Sequence, residues 1–192
     1  MFEEFLKSFI TLFIIIDPFV SVVFFLGYSK DFDTSQKNKS ILIAIIVAAI
    51  LLFIFLFLGL YLLKLLGITF DGFKIAGGII LLIMGVTTVL SININSKAES
   101  VSSSAILIGT PLLSGPGALT TIIILSKEYG FLIPGLAAVA VLIISYLMLR
   151  FSSLLQKFIS LEILEIMSKV LGLLLSALAI DFIHSGIIGF LS

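Results

Sequence analysis

Long, unbroken apolar runs separated by short polar stretches dominate the chain. None alternates apolar with polar at every second position, so strand pairing fits poorly. A helix needs roughly 20 apolar residues to cross the hydrocarbon. Six segments reach that length, at about 6–28, 40–63, 73–94, 104–126, 129–149 and 170–191. The clearest, 41–63 (ILIAIIVAAILLFIFLFLGLYLL), contains no charge at all. Asp33, followed three residues later by Gln36, predicts a capping box at the start of the second helix. Residues 150–169 (RFSSLLQKFISLEILEIMSK) place Phe151, Leu154, Leu155 and Phe158 together, with polar residues between them. That pattern predicts an amphipathic linker helix lying on the membrane interface.

Composition sharpens this picture. Of 192 residues, 60% are apolar and 11% charged, and the mean hydropathy is +1.35. A soluble domain averages about 45–50% apolar and about 25% charged. The expected fold is therefore an all-α membrane protein forming one transmembrane domain. The formal net charge is zero, so there is no basic field to attract nucleic acid. With no cysteine, disulfides, cysteine zinc sites and thiol catalysis are excluded. The opening MFEEFLKSF carries two Glu and leads into an apolar run without a small-residue cleavage site, so no removable signal peptide is expected.

Six spans sort the cationic residues onto two faces. Lys7, Lys64, Lys74 and Lys127 fall on the face with both termini. Lys30, Lys37, Lys39, Lys97, Arg150, Lys157 and Lys169 fall on the other, which is expected to be cytoplasmic. Both termini of this cell-membrane protein are then extracytoplasmic.

A repeat lies beneath the runs. Shifted by 93 residues, DPFVS (17–21) lies over TPLLS (110–114), matching Pro18 with Pro111 and Ser21 with Ser114. Shifted by 94, GGIILL (77–82) lies over LGLLLS (171–176), matching Gly78 with Gly172. The halves, about 1–96 and 97–192, then hold three spans each, and an odd number of crossings makes the second enter from the opposite side. Two inverted three-helix repeats with broken first and fourth helices are expected, a plan common among secondary transporters.

The segment GTPLLSGPGALT (109–120) packs two prolines and three glycines into an otherwise apolar stretch. Proline removes a backbone donor, and a broken helix persists in a membrane only where protein or a watery cavity satisfies the freed groups. Gly115, Pro116 and Gly117 predict a turn and a restarted helix near Ala118, its free N–H groups suited to an anion such as a carboxylate. Thr110, Pro111, Ser114 and Thr120 flank the turn. In the first span, Asp17, Pro18 and Ser21 form the corresponding break.

Carboxylates near the bilayer centre usually face a pathway or a partner. Asp17 and Asp181 both fall there, and His184 shares a helix face with Asp181. Each is a candidate to bind a coupling cation, Na⁺ or H⁺; Asp17 or Asp181 is equally placed to meet a substrate ammonium or to be protonated and hydrogen-bonded. Among Thr87, Thr88, Thr120 and Thr121, back-bonding to their own helices is expected, with Thr120 singled out for the site. Gly77, Gly78 and Gly172 are expected at close helix contacts. No nucleotide loop, metal-ligand cluster or catalytic triad is present, so neither an enzyme nor a bound cofactor is expected.

These residues resemble the MarC-type integral membrane proteins, the family that includes the small neutral amino acid transporters. The resemblance rests on Asp17-Pro18 with FFLGYS (24–29), GFKIAGGIILLIMG (72–85), the spacing from Pro111 to Gly117, and LEILEIMSKVLGLLL (161–175). It implies cation-coupled movement of glycine- or alanine-like amino acids. The substrate carboxylate would sit on N–H groups around Gly115 and Gly117, and its ammonium near the first-helix break. Asp17 stands where the family pattern implies Asn, and Asp181 lies outside that pattern. A passive channel or efflux pathway for small solutes, or a non-transporting membrane scaffold, are the alternatives. The oligomeric state is left open.

Overall fold

In a computed structural model, which describes residues 1–30, 32–91 and 113–191, the apolar runs are helices. In chain order these are α1 (Phe2–Ile16), α2 (Pro18–Tyr28), α3 (Thr34–Leu65), α4 (Phe70–Val89), α5 (Pro116–Tyr129), α6 (Leu132–Arg150), α7 (Ser152–Phe158) and α8 (Leu161–Leu191). There is no strand among the described residues. Five stretches there are long and apolar enough to cross a membrane: Phe2–Gly27 taken through the interruption at Asp17, α3, α4, α6 and α8. The expected fourth span, 104–126, lies partly outside the described residues, and α5 is its described helix.

Helix α3 shows why these segments are helical and why they sit in lipid. Asp33 Oδ1 accepts from Gln36 N at 2.7 Å, and Gln36 Oε1 accepts from Asp33 N at 3.0 Å, completing the expected capping box. Ile41, Ala44, Ala48, Leu52, Leu56, Gly59 and Leu63 form a buried stripe at helical spacing. The opposite face exposes Ile46, Ile50, Ile54 and Phe57. A helix that is apolar on every side belongs in a core or a membrane.

Residues 150–169 do not form a single interfacial helix. α7 ends at Phe158, Ile159 is extended, and α8 starts at Leu161 and runs unbroken to Leu191. Leu164, Ser168, Gly172, Leu175, Ala179, Phe182 and Gly186 make one buried stripe along α8. Packing along that stripe outweighs the surface-like composition of 161–169.

Lipid supplies no hydrophobic drive between helices, so close packing of small residues holds them together. α4 and α8 form the most extensive pair. A Cβ on Gly78 would lie 2.8 Å from the Ala179 carbonyl oxygen, and one on Gly85 would lie 2.7 Å from that of Gly172. Further along, Gly186 meets Ile75 and Gly189 meets Asp71. One number rises as the other falls, so the two helices are antiparallel. α3 packs on α5 and α6, and α1 packs on α5 and α6. The Lys74 Nζ–Glu128 Oε1 ion pair at 2.7 Å, the Phe57–Phe131 rings at 5.8 Å and the Gly189–Asp71 contact gather three chain regions at one end of the bundle. These are the α3–α4 turn, the α5–α6 turn and the end of α8.

Candidate functional site

The first span is interrupted at a single residue. Asp17 has φ 42° and ψ 77°, a left-handed conformation. Proline disfavours the right-handed helical region for the residue before it, and Asp is among the few residues that enter the left-handed region locally. Asp17 N donates to the Phe13 carbonyl at 3.1 Å, closing α1. Its Oδ1 accepts from Val20 N at 3.1 Å, capping α2. Pro18 takes the first position of α2, where a missing N–H costs nothing. Across the break, the Phe13 and Phe19 rings meet edge to face at 6.0 Å.

The Asp17 carboxylate is buried, with 7% of the residue exposed. Its second oxygen, Oδ2, accepts a hydrogen bond from the Ser168 hydroxyl of α8. Ser21 donates its hydroxyl to the Asp17 carbonyl at 3.1 Å. Ion pairs among the described residues join the N-terminus to Glu4, Lys7 to Glu3 and Lys74 to Glu128, and none reaches Asp17. Among the described residues, the carboxylate thus meets the Ser168 hydroxyl and the Val20 amide and has no ion-pair partner. Ser168, which the sequence pattern puts in the expected linker helix, lies instead in α8. The signal was the helical spacing of Leu164, Ser168 and Gly172, which runs straight through the supposed boundary.

The second interruption is at the start of α5. Gly115 is its N-cap and has no side chain with which to cap it, and Pro116 is its first residue. Ser114, Gly115 and Gly117 are buried, whereas Pro116 is exposed. Thr110 and Pro111 lie outside the described residues. A Cβ on Gly117 would lie 2.6 Å from Leu81 Cδ2, 3.0 Å from Met84 Sδ and 3.6 Å from Ile15 Cγ2. Gly117 is thus a close-packing position at which α1, α4 and α5 meet. Because Ile15 is only two residues before Asp17, the start of α5 packs against the last turn of α1.

The threonines differ from expectation. Thr87 and Thr88 do bond back to carbonyls of their own helix. Thr120, singled out for the site, also does so, donating to the Pro116 carbonyl at 2.8 Å, and its methyl fills the notch left by Gly77. Thr121 is the exception, with a fully buried hydroxyl that has no hydrogen-bond partner among the described residues. The buried hydroxyls of Ser8 and Ser29 are unpartnered too.

Asp181 and His184 are not brought to Asp17; both are exposed on the outer face of α8. Gly78 and Gly172 face α8 and α4 respectively. Among the described residues, no group of three or more His, Cys, Asp or Glu is arranged to hold a metal ion.

Comparison with known proteins agrees with the membrane architecture. The family model for the MarC family integral membrane protein matches residues 2–191. The UPF0056 membrane protein MJ1677 of Methanocaldococcus jannaschii is 32% identical, over 97% of each chain. The UPF0056 membrane protein YhcE of Escherichia coli is 30% identical over 98% of this chain and 94% of its own. A UPF0056 membrane protein of Buchnera aphidicola is 28% identical over 97% of this chain and 93% of its own. No solved structure matches. With a family match across nearly its whole length and multiple apolar helices, this multi-pass chain belongs to the MarC family of integral membrane proteins.

Proposed function

We propose that this MarC-family protein is a secondary transporter for small neutral amino acids of the glycine or alanine type, coupled to Na⁺ or H⁺ at Asp17. The observation that carries the proposal is the Asp17 carboxylate, buried at a helix break without an ion-pair partner among the described residues. A buried carboxylate lacking a counter-charge is strongly disfavoured. A coupling cation or a substrate ammonium would supply that charge, while the start of α5, which packs against the last turn of α1, suits the substrate carboxylate. The unpartnered hydroxyls of Ser8 and Ser29, on either side of Asp17 along the first span, fit a route along which a polar solute passes. In this reading the protein is no enzyme and needs no resident cofactor.

Six spans in two inverted halves support alternating access. Leu90 caps one end of α4, while Glu128 pairs with Lys74 at the other. Between them the chain passes from one end of α4 to the other, about 30 Å, which supports a sixth crossing. The helix partners also exchange as an inverted repeat requires: α2 packs on α6 as α5 does on α3, and α2 packs on α8 as α5 does on α4. The cation count, four residues against seven, supports a topology with both termini outside the cell membrane.

The test is thermal stability of the detergent-purified protein with glycine, alanine, serine and larger amino acids, with and without Na⁺, at two pH values. A ligand at 100 times its Kd adds about 2.7 kcal/mol. Stabilisation by the small amino acids that Asp17→Asn removes supports the proposal. No shift with any of them moves the weight to a passive channel or a scaffold.

A further inference from the structure

Asp181 and His184 present a problem that the central site does not answer. α8 is anchored at one end by Gly189 against Asp71, in the first turn of α4. Asp181 lies two turns inward from that level, about 12 Å along the helix. Its side of α8 exposes Leu173, Leu174, Ile180, Ile187 and Ile188. A carboxyl at that depth is costly to leave against lipid and normally finds a partner. Among the described residues, the side chains of Asp181 and His184 have no hydrogen-bond or ion-pair partner.

The surrounding pattern specifies the partner. Ile163, Met167, Val170, Leu174, Ala177, Asp181, His184, Ile188 and Leu191 are all exposed. Their spacing alternates four and three residues along the whole of α8. A sustained 3.5-residue seam is the geometry with which one helix packs against another of the same hand. Polar residues on such a seam fix register and partner choice. Here the two polar positions are adjacent on the seam and of complementary type, an acceptor carboxyl and an imidazole that donates. The seam is thereby self-complementary, as a two-fold interface demands: residue i meets j, and j meets i.

We propose that the occupant of this face is a second copy of the chain. Two α8 helices pack side by side in parallel, and the Asp181 carboxyl of each copy accepts a hydrogen bond from His184 of the other. Ala177 lies one turn away on the seam, where a small residue lets the backbones approach. The inference is independent of what the protein transports, because it uses neither the Asp17 break nor α5.

The chain has no cysteine, so single cysteines report on the interface without background. Ala177→Cys and Ile188→Cys would be oxidised in native membranes beside Ile79→Cys and Ile83→Cys, which lie on the exposed face of α4. Disulfide-linked dimers are expected from the two seam positions and not from the α4 positions. In the Ala177→Cys background, Asp181→His or His184→Asp alone should lower the linked fraction roughly threefold to tenfold, the range of intramembrane hydrogen bonds. Exchanging both together should restore it, which a folding defect would not do. Equal cross-linking on both helices, cross-links only to other proteins, or a linked fraction unchanged by Asp181→Leu with His184→Leu would overturn the proposal.

Discussion

The Ser168 hydroxyl of α8 donates to the Asp17 carboxylate at the junction of α1 and α2. That bond ties the last helix to the one point where the first span is interrupted. Hydrogen bonds to a charged group contribute about 1.5–3 kcal/mol. Ser168→Ala is therefore expected to lower thermal stability by about that amount. In an Asp17→Asn background the same change should cost less, because the accepting group has lost its charge. A double-mutant cycle with no coupling between the two positions would contradict the bond.

Asp17 serves as both a backbone conformation and a side chain, and substitutions separate the two. Asp17→Gly keeps the left-handed geometry at no steric cost and loses only a few tenths of a kcal/mol of capping. Asp17→Leu suffers about 1–2 kcal/mol from the backbone and about 1 kcal/mol from the lost cap. The glycine variant should therefore melt well above the leucine variant, while both lose cation-dependent stabilisation by ligand. Equal melting temperatures would refute the backbone assignment.

Thr121 offers a case in which stability and function move in opposite directions. Its buried hydroxyl is unpartnered, and leaving such a group unpaired costs about 1–3 kcal/mol. Thr121→Val keeps the shape and removes the orphan. It should raise the melting temperature while slowing uptake into proteoliposomes. A variant that is less stable than the parent would show that the hydroxyl has a partner after all.

Two glycines predict opposite responses to added bulk. Gly78 faces the Ala179 carbonyl oxygen and Ile183 N of α8, so Gly78→Leu meets backbone that cannot yield. Overpacking of this kind costs typically 1–3 kcal/mol or more. Gly27, within α2, has nothing within 4 Å of an added Cβ. Gly27→Ala should stabilise by about 0.5–1 kcal/mol through helix propensity alone. Melting curves of the pair in one detergent decide between packing and propensity.

The sequence made some of this legible and hid the rest for identifiable reasons. Residues 41–63 carry no charge, so α3 could be nothing else. Pro18 marked the first break because its effect on Asp17 is local. Ser168 was hidden because its partner lies 151 residues away, and burial depends on which way α8 is turned. The Thr120 bond to Pro116 lies within its own helix and was legible locally, whereas the unpartnered hydroxyl of Thr121 depends on what packs around it, which periodicity cannot set where the neighbours are apolar. The extra turns of α8 were missed because polar Glu162, Glu165 and Lys169 mask a buried stripe that continues beneath them.

The antiparallel contact of α4 with α8 has a mechanical consequence. Gly78 against Ala179, and Gly85 against Gly172, leave the two backbones in direct apposition. Sliding one helix along the other by a single residue would drive side chains into space that only hydrogen atoms now occupy. The pair therefore acts as an axle whose length is fixed. If the centre opens first to one side and then to the other, as proposed, α4 and α8 travel together as one body.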